Sequence, residues 1–344
     1  MRRSRTKAHR PRTAVIALIA AAAAVAAGCG EKSESTTPGQ PQPLDVALDF
    51  YVNPDHAGLY EAIDRGYFRD AGLDVHPQVP SDPSAPIKEV AAGRVDLAIS
   101  YEPEVLLAQD QGLPVKAVAS IVPRPLTSMI WLAGSGIQGV KDLRGKTIAT
   151  AGIPYQSAYL KTILDRAGLS TSDVNSVDVQ QGLLPAILSG RADAILGGFL
   201  NVEGVDLKLR GKNPTVIPVD KLGIPTYAEL VLVANSDRLD DEAQNIRLFI
   251  AALERGTKAA AADPAAATRA VLDAGEGLSP RFTAAEVRKT LPLLLPKSGK
   301  QPYGYMDPQQ WQRFAQFFAD EALIEALPST GDVLTNDLLP GKIP

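Results

Sequence analysis

One pattern occurs twice in this chain. Residues 91–101 read AAGRVDLAISY, and residues 188–198 read LSGRADAILGG. Both carry Gly-Arg-x-Asp followed by a short apolar run, and Gly93 and Gly190 stand 190 − 93 = 97 positions apart. An earlier pair keeps nearly that offset: Gly72-Leu73 closes RDAGLDV and Gly168-Leu169 closes DRAGLST, 168 − 72 = 96 positions apart. Glycine takes the positive φ that stops a helix, and a short apolar run suits a buried strand. A helix, a stop and a strand therefore recur in order. Two such units predict an α/β fold of two lobes with a ligand cleft between them.

The first 28 residues stand apart from that pattern. Arg2, Arg3, Arg5, Lys7, Arg10 and Arg12 make a basic start, Ala14 to Ala27 is apolar, and Gly28-Cys29 follows. That order reads as a secretory signal, and the run is too short to span a membrane. Cys29 is the sole cysteine, so an internal disulfide is excluded. Its place after Ala-Ala-Gly resembles a bacterial lipobox, which implies a lipidated thiol; an ordinary cleaved signal is the alternative. Residues 29–43 are Gly-, Pro- and Ser-rich and read as a flexible tether. The remaining 344 − 28 = 316 residues carry a charge of 29 − 39 = −10 once six of the 35 Lys and Arg are lost. An acidic chain of that length suits two modest domains and argues against nucleic acid.

Strand and helix signals alternate, which indicates mixed sheets covered on both faces. Leu44–Phe50 reads as the first strand, and Thr147–Ala151 opens the second unit. The predicted organisation is residues 44–127 plus 235–344 for lobe 1 and 128–234 for lobe 2. The crossovers fall near Pro123–Ser128 and Tyr227–Ala234. Beyond Asp240 the chain reads as helical over Asp241–Ala262, Thr283–Leu291 and Pro308–Leu327. The stripes Ile246, Phe249, Ile250, Leu253 and Trp311, Phe314, Phe317, Phe318 have the spacing of core faces.

Ligands of open α/β sheets sit beyond the carboxyl ends of strands. That rule selects Phe50, Tyr51, Asn53 and His56 after the first strand. It selects Tyr101, Glu102 and Glu104 after the first copy of the repeat, and Phe199, Asn201 and Glu203 after the second. Tyr155, Gln156 and Ser157 follow the strand at Thr147. Rings can stack a flat heterocycle while amides and carboxylates hold its edge. The carboxylates would repel a sulfonate or phosphate and suit an aminated ring. Each residue also has a structural alternative. Glu102 and Glu104 suit a cap on the helix at Val105, and Glu203 one at Val205. His56 suits a helix start, and Tyr155 suits lobe packing. Asp96 and Asp193 read as structural, paired with backbone or with the preceding Arg. Cys29 has no partners for a metal centre, and no metal or cofactor is expected.

The segment LDFYVNPDHAGLYEAIDRGYFRDAGLDV resembles the opening of the NMT1/THI5-like substrate-binding proteins. The resemblance continues through GRVDLAISYEPEVLLAQDQGLPVKAVASIV and LRGKTIATAGIP to ADAILGGFLNVEG, and covers Leu44 to Leu239. Asn53, His56, Gly58 and Tyr60, with Asn201-Val-Glu203-Gly204, most resemble the branch that binds thiamine pyrimidine precursors. The resemblance implies a periplasmic-binding-protein fold of type II and no catalysis. It implies the permease and ATPase of an ABC importer as partners. The lipobox-like Cys29 predicts an N-terminal lipid at the outer face of the bacterial cytoplasmic membrane, and a monomer is expected. It places Phe50, Asn53, His56, Tyr101, Glu102, Tyr155 and Glu203 around the pyrimidine. Phe50-Tyr51 stands where that branch has Trp, and Val202 where it has an aromatic. Sulfonate, taurine or riboflavin binding by the same fold is the alternative ligand class. The family's pyrimidine synthase is the alternative activity; it needs a cysteine-rich iron motif, and this chain has one cysteine.

Overall fold

The computed structural model describes residues 40–296 and 301–341. The signal, Cys29 and most of the tether lie outside these residues. Two five-stranded sheets organise the rest.

The chain starts with β1 (Gln42–Ala47), α1 (Ala57–Asp64), α2 (Tyr67–Asp70), β2 (Leu73–Gln78), α3 (Ala85–Ala91), β3 (Leu97–Ser100), α4 (Glu102–Asp110) and β4 (Val115–Val122). It crosses over into β5 (Thr127–Leu132), β6 (Thr147–Thr150), α5 (Tyr155–Arg166), β7 (Asn175–Asp178), α6 (Leu183–Leu188), β8 (Ala194–Phe199), α7 (Glu203–Leu209) and β9 (Pro214–Pro218). It then returns in β10 (Leu230–Asn235) and continues as α8 (Leu239–Ala262), α9 (Pro264–Ala274), α10 (Pro280–Leu294), α11 (Pro308–Asp320) and α12 (Thr330–Val333).

The first sheet runs β2-β1-β3-β10-β4 and the second β7-β6-β8-β5-β9. Each has three parallel strands, then an antiparallel strand contributed from across the crossover, then a fifth. The two orders superpose, with β3 in the place of β8 and β10 in the place of β5. That equivalence explains the sequence repeat. Gly93 (φ 66°) and Gly190 (φ 73°) both stop the preceding helix in the left-handed region. Asp96 Oδ2 accepts from the Asp45 N–H at 2.6 Å, and Asp193 Oδ2 accepts from the Thr147 N–H at 2.8 Å. Each repeated Asp therefore pins the neighbouring parallel strand, the structural role expected of it.

Three expected boundaries move. β1 begins at Gln42, where Gln42 and Pro43 pair with Leu73 and Asp74, so the tether ends before residue 43. β10 pairs with β3 and β4, so the return to the first lobe precedes Leu230 rather than falling at 234/235. The final long helix stops at Asp320 rather than at Leu327, because Ala322 takes a positive φ of 53°.

The first lobe's outer core joins α1 and α8 under β1, with Phe68 stacked on Phe249 at 4.9 Å. Contact between α1 and α8 is close because both carry glycine at the crossing. A Cβ on Gly256 would overlap the Gly58 carbonyl oxygen. The expected stripe of α8 (Ile246, Phe249, Ile250, Leu253) is buried there. α11 departs from the expectation that residues 235–344 serve lobe 1 alone. Its Phe314 packs on Tyr227 at 4.7 Å, and Phe317 on Tyr159 of α5 at 6.2 Å. A buried aromatic side chain contributes about 2 kcal/mol, so α11 ties the C-terminal region to both lobes.

Candidate functional site

A cavity of about 380 Å³ opens between the carboxyl ends of the two sheets. The loop after β1 supplies Asp49, Phe50, Tyr51 and Asn53, and Tyr101 follows β3. Across the cleft stand Tyr155 and Gln156 from α5 and Phe199 and Glu203 after β8. A third wall comes from Leu278, just before α10, and from Phe282 and Glu286 in its first turns. Thr127 and Glu229 line the crossover side. Of the residues expected from sequence, Phe50, Tyr51, Asn53, Tyr101, Tyr155, Gln156 and Glu203 share this cavity. His56, Glu102 and Asn201 lie outside its lining.

His56 is 1 % exposed and sits behind Asp49. Its Nδ1 accepts from the Asn53 N–H at 3.3 Å, so Nε2 carries the ring proton and donates to Asp49 Oδ1 at 2.8 Å. The Tyr101 hydroxyl donates to Asp49 Oδ2 at 2.8 Å. Asp49 thus orients Tyr101 against the cavity, and His56 orients Asp49. Asn53 caps the 3-10 turn Pro54–His56, its Oδ1 accepting from the Asp55 N–H at 2.8 Å. The expected cap role of His56 is what the geometry displays. Asp49 itself escaped the sequence reading, although it immediately precedes Phe50 at the strand end.

Glu102 is fully buried and faces the crossover rather than the cavity. Its Oε2 accepts from the Ala228 N–H at 2.6 Å, and both oxygens accept from Gln310 Nε2 of α11 at 3.1 Å. Burial pushes its carboxyl up to about 8. Glu229 follows Ala228 on that same crossover and grips the other one. Its Oε2 accepts from the N–H groups of Leu126 (2.6 Å) and Thr127 (2.7 Å), and its Oε1 from Thr127 Oγ1 (2.8 Å). Burial pushes it up to about 7. Both glutamates therefore clamp the strands that join the lobes.

Asn201 donates through Nδ2 to Asp55 Oδ1 and to Thr290 Oγ1, each at 2.7 Å. It bridges the loop after β8 to the first lobe instead of meeting the cavity. Glu203 does meet it. One oxygen accepts from the Phe199 N–H at 2.7 Å, and desolvation raises its carboxyl above the usual range. Asp206 is paired with Arg210, whose guanidinium lies 4.8 Å from the Phe282 ring. Gln156 Oε1 accepts from the Ala151 N–H at 2.9 Å, which leaves its amide nitrogen toward the cavity. Glu104 lines a separate chamber of about 600 Å³ that shares Pro83, Ile153 and Gln181 with the first. Among the described residues no group of His, Cys, Asp or Glu is arranged to hold a metal ion. No helix among them is long and apolar enough to cross a membrane.

Phe282 and Glu286 also escaped the sequence reading. They lie far along the chain in a helical region with no strand end to mark them.

The sequence profile of the family described as "NMT1/THI5 like" matches residues 53–267. A putative thiamine biosynthesis protein of Haemophilus influenzae is 34 % identical over 282 residues, covering 82 % of this chain and 88 % of that one. A formylaminopyrimidine-binding protein of Halalkalibacterium halodurans is 36 % identical over 273 residues, covering 78 % and 82 %. A 4-amino-5-hydroxymethyl-2-methylpyrimidine phosphate synthase of Uromyces fabae is 28 % identical over 232 residues, covering 64 % and 67 %. Among solved structures, the alkanesulfonate-binding protein SsuA of Xanthomonas axonopodis pv. citri, bound to MOPS, superposes with a TM-score of 0.68 at 18 % identity, covering 87 % of this chain and all of that one. At that identity the likeness speaks for the two-lobed binding-protein fold alone.

Proposed function

This chain belongs to the NMT1/THI5-like family, and from that premise and the chemistry of the cleft we propose that it is the extracytoplasmic solute-binding component of an ABC importer for thiamine-precursor aminopyrimidines. The observation that carries the reading is the Glu203 carboxyl, which lines the cavity beside the rings of Phe50, Tyr101, Tyr155 and Phe199. An aminopyrimidine presents an exocyclic NH₂ next to a ring nitrogen. One carboxyl can hold both, and charge assistance strengthens the pair. The relative named for formylaminopyrimidine binding supports the same ligand class.

In this reading Phe50, Tyr51, Asn53, Tyr101, Tyr155, Gln156 and Glu203 meet the ligand. His56, Glu102 and Asn201 act from behind, on Asp49, on the crossover and on the lobe contact. The lobes close about the crossovers that Glu102 and Glu229 clamp, a hinge motion. The chain acts by binding rather than by chemistry. The relatives named as synthases are more distant, and the single cysteine leaves no cysteine-rich motif. Export by residues 1–28, a lipid on Cys29 and a monomeric state complete the proposal. Labelled palmitate taken up by wild type and not by Cys29→Ser supports the anchor; equal labelling removes it.

The deciding experiment is a thermal-shift panel on residues 30–344. It contains hydroxymethyl and formylamino aminopyrimidines, thiamine, riboflavin, taurine and an alkanesulfonate. A ligand at 100 times its Kd adds about 2.7 kcal/mol, read as several degrees. Shifts with the aminopyrimidines are expected. Shifts with sulfonates alone would overturn the reading.

A further inference from the structure

Glu286 is a cleft-lining carboxyl that no described residue holds. It projects from α10, is 8 % exposed, lines the main cavity, and has no hydrogen bond or ion pair to any described residue. The other acidic groups around it are engaged. Asp206 is paired with Arg210, Glu203 accepts from the Phe199 N–H, and Asp49 accepts from His56 and Tyr101. The Glu286 oxygens are open to the cavity rather than sealed in the core, so a donor carried by a ligand can reach them. Burial first, and then the negative charges of Asp206 and Glu203, push Glu286 up to about 7. A positive charge brought between Glu286 and Glu203 would relieve that repulsion.

Glu203 opens α7 on the second lobe, whereas Glu286 belongs to α10, which packs on the turn at Pro54–His56 of the first lobe. Because α10 also packs on α7, the two carboxyls reach one cavity from adjacent helices of different lobes. Glu286 also lies beyond residues 53–267, which the family profile matches.

We propose that Glu286 is a specificity-determining residue that selects, among flat aminated heterocycles, those carrying a second donor group in the form of an alkylammonium. The inference rests on the aminopyrimidine reading above. In it the ring's amidine-like edge meets Glu203, and the ammonium meets Glu286. A ligand held at both ends joins the lobes, so it favours the closed arrangement by its differential affinity for that state. A ligand with a neutral hydroxyl at the second position makes a weaker, uncharged contact with Glu286.

The test compares two probes by calorimetry at pH 7: 4-amino-5-hydroxymethyl-2-methylpyrimidine and its 5-aminomethyl analogue, whose side chain is protonated. Wild type is expected to prefer the aminomethyl compound by at least about tenfold, the scale of a charge-assisted bond. Glu286→Gln keeps the size of the side chain and is expected to reduce that preference to about threefold or less. Equal affinities in wild type overturn the proposal without any variant. A preference that survives in Glu286→Gln overturns it as well, and leaves the aminopyrimidine reading standing. Binding of neither probe by wild type removes that reading and this inference together.

Discussion

Asn201 and Asp55 touch across the cleft, with Asn201 Nδ2 donating to Asp55 Oδ1 at 2.7 Å. Asp55 follows β1 in the first lobe, and Asn201 follows β8 in the second. The same nitrogen donates to Thr290 of α10, so one amide joins three elements. Among the described residues, Asp55 Oδ2 and Asn201 Oδ1 have no hydrogen-bond partner. A carboxylic acid and a primary amide are complementary at two points, and a proton on Asp55 would supply the second. Burial, and then the negative charge of Asp49, raise the Asp55 carboxyl well above the usual range, in the direction of that proton. Asn201→Ala is expected to leave Asp55 and Thr290 unpaired and to destabilise the protein by about 1–3 kcal/mol. Urea unfolding checks this; an unchanged midpoint would separate the contact from stability.

Glu203→Gln should weaken aminopyrimidine binding by at least about tenfold while the fold survives. The glutamine can still accept from the Phe199 N–H, so the strand end keeps its bond. Only the charge offered to the ligand is lost. Calorimetric titration reads the change, and unaltered affinity would take Glu203 out of the site.

Ligand-free stability should fall as pH rises from about 5 to about 8. Glu102 sits at about 8 and Glu229 at about 7 in the folded state, against an ordinary 4.5 for both. A carboxyl raised by folding binds its proton more tightly when native. The contribution is therefore complete below the unfolded value and is lost as pH climbs through the folded one. Guanidinium unfolding across that range is the measurement. Glu102→Gln is expected to flatten the upper part of the curve, since an amide has no such proton. A flat wild-type curve would mean the clamps are ionised throughout.

Gly256→Ala should destabilise by about 1–3 kcal/mol, the scale of overpacking in a core. The added methyl would meet the Gly58 carbonyl oxygen and the Ala62 side chain and backbone, none of which can rotate away. Differential scanning calorimetry would record a lower Tm. An unchanged Tm would show that α1 and α8 can separate at little cost.

Some of this molecule was legible in the chain itself. The Gly-Arg-x-Asp repeat located β3 and β8, because the stop at Gly93 and Gly190 and the strand-pinning Asp96 and Asp193 are local devices. The stripe on α8 was legible for the same reason, since its period follows from helix geometry. Strand ends pointed to Tyr101, Tyr155 and Glu203, which share the cavity. What the chain could not display was the direction in which each polar group spends its hydrogen bonds. Glu102 and Glu203 follow equivalent strands, yet one clamps Ala228 and the other lines the cavity. The difference is made by α11, whose Gln310 lies 208 positions away and covers Glu102. Asn201 turned to Asp55, and Glu286 became a cavity wall, for the same kind of reason. Periodicity and turn chemistry act within a few residues and are written in sequence. Burial and partnership are set by packing between segments far apart in the chain, so the tertiary structure alone assigned these carboxyls and amides their roles.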